Sequence, residues 1–153
     1  MTLTRNIFSA FSLMMMLFFG NAANAADPIY TGTFSNTAIG GYDTTTYYSG
    51  EEPIKGSKEF STEYKGANWL FASAENLATF QANPEKYAPQ YGGYCAWAIA
   101  HDNLVKGDPK VYHIDNGKLY LNYNKTVAER WLPRKQELIE DANGKYDTLI
   151  EAK

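Results

Sequence analysis

The chain has 153 residues, enough for one domain, with 14 Lys+Arg against 17 Asp+Glu and a net charge of −3. This weak acidity lacks the clustered basic charge that nucleic-acid binding requires, and 44% hydrophobic with 15% aromatic residues is too apolar for a disordered chain. A single cysteine excludes an internal disulfide framework and any zinc site built from a cysteine cluster.

In chain order, residues 1–5 carry one positive charge, at Arg5. Residues 7–20 are uncharged and mostly apolar, and Ala23 and Ala25 follow in A-x-A spacing. This three-part pattern is that of a secretory signal peptide and predicts cleavage after Ala25. The apolar run falls short of the ~20 residues that span a bilayer. Residues 26–153 are therefore expected as one periplasmic or secreted domain with no membrane span. Cleavage would remove all four methionines, so no thioether ligand would remain, while every one of the 12 tyrosines would stay.

Gly40-Gly41 marks a turn, and Asp43 is a candidate cap for a short helical turn or the start of an extended segment. Residues 60–64 and 68–72, flanking Lys65-Gly66-Ala67, predict a hairpin. Ser73 is positioned as a helix N-cap, with Glu75 in the first turn and Pro84 ending or restarting the helix. Residues 91–100 (Y-G-G-Y-C-A-W-A-I-A) are apolar and of undetermined type. Asn116-Gly117 is the strongest hairpin signal, because both central residues of a type I′ turn need positive φ. A two-residue turn there pairs Tyr112 with Leu121, His113 with Tyr120, Ile114 with Leu119 and Asp115 with Lys118. Tyr112, Ile114, Leu119 and Leu121 then form the core face, and His113 falls on the opposite, more polar face as a solvated or hydrogen-bonded surface histidine. Thr126 and Glu129 have capping-box spacing for a helix through Trp131. Leu138, Ile139, Ala142, Tyr146, Leu149 and Ile150 form one helical stripe, which Gly144 is expected to weaken or end early. No internal repeat, low-complexity tract or second domain is legible. Hairpins with interspersed short helices give an α+β fold with a C-terminal helical segment.

Cys95 is the sharpest chemical candidate: its thiolate would be a soft ligand for copper or zinc and is the strongest nucleophile available. The alternative is a small buried hydrophobe, the commonest state of a free cysteine. In one continuous helix, Cys95 and His101 would point about 240° apart. A shared metal therefore requires the helix to end near Ala100. Neither a nucleophile elbow, a zincin helix, a C-x-x-C pair nor a phosphate-binding glycine loop is present.

Residues 71–87 (F-A-S-A-E-N-L-A-T-F-Q-A-N-P-E-K-Y), with E-Y-K-G-A-N-W-L-F just before them, resemble the core of the YHS domain. A-I-G-G-Y-D near residue 40, Y-G-G-Y-C-A-W-A around Cys95 and N-G-K-L-Y-L-N-Y near residue 120 are similar to exported, stand-alone members of that family. The resemblance implies heavy-metal binding. The family's metal-associated cysteines, however, correspond here to Thr46, Ala72 and Asn76, while Asp43 matches the family's Asp. The expectation is an exported metal-binding module, with copper as the expected metal, Cys95 as ligand and His101 as its partner. The alternatives are a structural or interaction domain with an inert Cys95, or a thiol-dependent enzyme with an exposed Cys95 and a base within about 3 Å.

Overall fold

The computed structural model describes residues 25–152, so the signal-peptide reading lies, apart from Ala25, outside the described residues. Strands β1 (Ser57–Tyr64) and β2 (Ala67–Phe71) pair through a turn at Lys65-Gly66, where φ is 49° and 77°. Strands β3 (Asp108–Asp115) and β4 (Lys118–Asn122) pair through Asn116-Gly117, where φ is 50° and 73°. The register of the second hairpin, from Tyr112–Leu121 to Asp115–Lys118, is the one the two-residue turn predicts.

Each hairpin runs into a capped helix. Ser73 Oγ accepts the Asn76 N–H at 3.1 Å and opens α1 (Ala74–Ala82), and Asn83 accepts from Lys86 to open α2 (Pro84–Tyr87). The segment of undetermined type resolves into a 3-10 turn, Gln90–Gly93, and a short helix, α3 (Ala96–Ala100), with Cys95 at its N-cap. The expected capping box is not used. Asn124 caps α4 (Lys125–Trp131) by accepting the Val127 N–H at 2.9 Å. Asn caps at least as well as Thr, and it stands immediately before the first helical residue.

Pro133 lies in the 3-10 turn Leu132–Arg134, after which α5 runs over Lys135–Glu151. Gly144 does not end α5. Its intrinsic cost of about 1 kcal/mol is outweighed by the burial of Leu138 and Ala142 and the packing of Ile139, Tyr146, Leu149 and Ile150. The fold is α+β, and no helix among the described residues is long and apolar enough to cross a membrane.

The structure contains a repeat that the sequence reading missed. Ile39, Gly40, Gly41, Tyr42 and Asp43 correspond to Tyr91, Gly92, Gly93, Tyr94 and Cys95. Lys55 and Gly56 correspond to Lys106 and Gly107, β1–β2 to β3–β4, and Ser73 to Asn124. The offset is constant except for one residue lost between Cys95 and Lys106.

The backbone follows the same path in both units. Ile39 and Tyr91 both take the left-handed region, at φ 52° and 56°, each before a glycine pair that is also positive. Asp43 N–H donates to Ile54 O at 2.9 Å, and Cys95 N–H to Val105 O at 2.8 Å. Gly56 N–H donates to Gly41 O at 2.9 Å, and Gly107 N–H to Gly93 O at 3.0 Å. Tyr42 bridges Lys55 as Tyr94 bridges Lys106, and both hairpins carry a register shift at equivalent places. The side chains differ while the backbone path is shared, so the periodicity is faint in sequence.

The two units share their core. Leu119 and Leu121 of β4 pack with Trp69, Phe71 and Phe80 of the first unit. On the other side of β4, Tyr120 packs with Tyr91, Trp131 and Leu138. An N-terminal segment is tied across the second cluster: Ala26 N–H donates to Ile150 O at 2.9 Å, Tyr94 hydroxyl to Asp27 O at 2.9 Å, and Tyr30 N–H to Gly92 O at 2.9 Å.

Candidate functional site

Two caps, Asp43 and Cys95, occupy equivalent places in the two units. Asp43 is fully buried, and its carboxylate accepts four hydrogen bonds. Thr45 supplies two to Oδ1, from its N–H at 3.0 Å and its hydroxyl at 2.7 Å. Oδ2 takes the Ala72 N–H at 2.8 Å and the Asn76 side-chain amide at 2.7 Å. One side chain thus ties the 3-10 turn Thr44–Tyr48 to the end of β2 and to α1. Two of the three positions at which the resemblance leads one to expect cysteine, Ala72 and Asn76, donate directly to this carboxylate. The third, Thr46, donates its hydroxyl to the Asp43 carbonyl at 2.7 Å.

Cys95 is 1% exposed. Its sulfur accepts the Tyr123 N–H at 3.2 Å and donates to Asn122 Oδ1 at 3.7 Å. Asn122, itself buried, also accepts the Trp97 N–H at 3.4 Å. Burial pushes the Cys95 thiol up, against the opposing effect of its N–H donors. His101 stands at the other end of α3, as its C-cap, and is exposed. The helix does end at Ala100, but it leaves Cys95 inside and His101 outside. The His101 Nδ1–H donates to Trp97 O at 2.7 Å, and the ring stacks on Trp97 at 4.5 Å. Among the described residues, no three His, Cys, Asp or Glu side chains gather closely enough to hold a metal ion.

Residues 46–91 match the family model of the YHS domain. Over these residues the chain is similar to the YHS domain. The match covers well under half of the chain and takes in nearly all of the first unit. The second unit, outside the match except at Tyr91, repeats the element order of the first from Tyr91 to Trp131. No curated protein and no solved structure matches the chain.

His113 lies on the face opposite Leu119 and Leu121, as the register predicts, and is hydrogen-bonded there, but it is more buried than a surface histidine. The polar face of the second hairpin is covered by helices rather than by solvent: Asn122 is buried against the start of α3, Tyr120 against Trp131 and Leu138, and His113 is half-buried. Its ring meets the Trp131 edge at 5.9 Å, and its Nε2 accepts from Lys135 Nζ at 3.2 Å. Lys135 is also ion-paired with Asp115, whose carboxyl it holds low by hydrogen bonding. Burial lowers the His113 pKa, Lys135 lowers it further, and Asp115 opposes both. As pH falls through about 6.5, the unfolded chain takes up a proton on His113 that the fold resists. This contribution to stability is therefore complete above that pH and is lost below it, down to the depressed folded value. Urea midpoints of the wild type should fall across this window, and His113→Gln should flatten that part of the profile. Parallel profiles for the two proteins would show that His113 is not desolvated.

Proposed function

We propose that the chain is an exported, periplasmic or secreted, binding module in which Cys95 is a structural thiol. The observation that carries this reading is the equivalence of Cys95 and Asp43. Both stand at the N-cap, and each accepts the backbone N–H just beyond the hairpin's last strand, Tyr123 in one unit and Ala72 in the other. The thiol therefore reproduces one of the carboxylate's four contacts, the N–H beyond the hairpin, while the Trp97 N–H, counterpart of the Thr45 N–H, goes to Asn122 instead. Burial keeps the sulfur neutral, whereas a metal ligand or a nucleophile must be a thiolate. Its immediate polar partners are an amide oxygen and a backbone N–H, neither of which is a base. Cys95 and His101 do not fit a shared copper or zinc ion. Export is supported by the pattern of residues 1–25 and is compatible with a lone thiol shielded from oxidation.

A Cu(I) titration of the reduced mature protein against a competing chelator tests this reading, with Cys95→Ser alongside. Wild type and variant are expected to behave alike, and iodoacetamide should label the urea-unfolded chain while sparing the native one. Tight one-to-one uptake of Cu(I) or zinc that is lost in Cys95→Ser would overturn the proposal in favour of a Cys95-based metal site.

A further inference from the structure

The two YHS-like units have one backbone plan, so the places where their side chains differ isolate what one unit has and the other lacks. The clearest difference surrounds a cleft of about 580 Å³, within the usual size range of small-ligand sites. It opens between the second unit, the Ile39-Gly40 corner of the first and the N-terminal segment. Leu121 and Ile39 form its apolar floor, and Tyr30, Tyr123, Lys106 and Asp108 stand around it.

In the first unit the equivalent lysine is engaged and the acidic neighbour is missing. Lys55, the counterpart of Lys106, donates to the Gly40 carbonyl and lies 4.5 Å over the Tyr42 ring. Ser57 stands where the second unit has Asp108, and Ala72 where it has Tyr123. In the second unit, Lys106 and Asp108 form no ion pair among the described residues, either with each other or with a third group. Two charges of opposite sign are thus held two residues apart in extended chain, the spacing that places side chains on one side of the backbone.

The backbone between these charges is closely packed. Gly107 donates to Gly93 O, and a Cβ on Gly107 would lie 2.6 Å from Leu121 Cβ. The Asp108 carboxylate is oriented by the Lys110 N–H at 2.9 Å. Tyr30 is braced edge-on against Tyr94 at 5.5 Å, while Tyr123 is 45% exposed and presents its ring to solvent. A purely anionic ligand would be opposed by Asp108 and a purely cationic one by Lys106.

We propose that this cleft binds a small zwitterion with an aromatic body, its carboxylate set against Lys106, its ammonium against Asp108 and its ring on Tyr30 and Tyr123. The proposal rests on the reading of the chain as a binding module. Backbone-amide NMR titrations of the mature protein with three probes test it. L-Phenylalanine has both charges, N-acetyl-L-phenylalanine lacks the ammonium, and phenethylamine lacks the carboxylate. L-Phenylalanine is expected to bind one-to-one with Kd below ~1 mM, shifting the amides of residues 106–108 and 123, and the other two at least tenfold more weakly. Lys106→Ala should abolish the preference over phenethylamine, and Asp108→Ala the preference over the acetylated probe. Equal affinity for all three probes would overturn the zwitterion class while leaving a binding cleft. No shift at the cleft up to ~10 mM would overturn the site itself, and neither outcome depends on the Cu(I) result that decides the role of Cys95.

Discussion

Asp43→Ala is expected to destabilise the protein by about 3–4 kcal/mol, a large share of the roughly 5–15 kcal/mol that holds a typical domain. The side chain is small, and little of this is lost packing. The loss comes from the donors left behind: the Thr45 and Ala72 N–H groups, the Thr45 hydroxyl and the Asn76 amide all lose their acceptor at a buried point. A buried donor without a partner costs about 1–3 kcal/mol, reduced where water can enter. Asp43→Asn should recover only part of the loss, because its NH2 group would face donors instead of accepting from them. Urea unfolding should show a lower midpoint at unchanged slope. A shift worth less than about 1 kcal/mol would mean that the carboxylate is not the tie between the Thr44–Tyr48 turn, β2 and α1.

Gly56→Ala and Gly107→Ala form the second large prediction, and together they test the repeat. A Cβ on Gly56 would lie 2.2 Å from the Leu70 carbonyl carbon. On Gly107 it would lie 2.6 Å from Leu121 Cβ and 2.7 Å from Gly93 O. Leu70 and Leu121 are themselves equivalent positions, so the same close approach of strand to strand recurs in both units. Overpacking costs about 1–3 kcal/mol, and more where backbone must move, so each substitution should cost at least ~2 kcal/mol. Gly144→Ala is the control: nothing lies within 4 Å of its Cβ, and helix propensity favours Ala by about 1 kcal/mol. It should raise the thermal midpoint. If Gly56→Ala were tolerated and Gly107→Ala were not, the two hairpins would not share their packing.

The local elements were determined by sequence because short-range chemistry specifies them. Asn116-Gly117 demanded the turn that sets the register of β3 and β4, Ser73 capped α1, and the apolar stripe from Leu138 to Ile150 faces the core of α5. The resemblance over residues 71–87 likewise depended on contiguous residues. What failed locally failed by competition between neighbours: Asn124 took the cap in place of Thr126, and packing carried α5 through Gly144.

The remaining features depend on contacts between residues far apart in the chain. Alternation in β4 marks one face as apolar, but only the placement of α3, α4 and α5 shows that the other face is covered too, which buries Tyr120 and Asn122 and draws His113 toward Lys135. Cys95 and Asp43 share no side-chain chemistry, so their equivalence rests on backbone position and on the N–H each receives. The faint echo of I-G-G-Y-D in Y-G-G-Y-C, with K-G following in each unit, was the one sequence trace of the repeat. Lys106, Asp108, Tyr30 and Tyr123 are unremarkable surface residues in sequence. The packing of two units and an N-terminal segment brings them around one cleft, and burial, a property of the whole fold, makes Cys95 a neutral thiol.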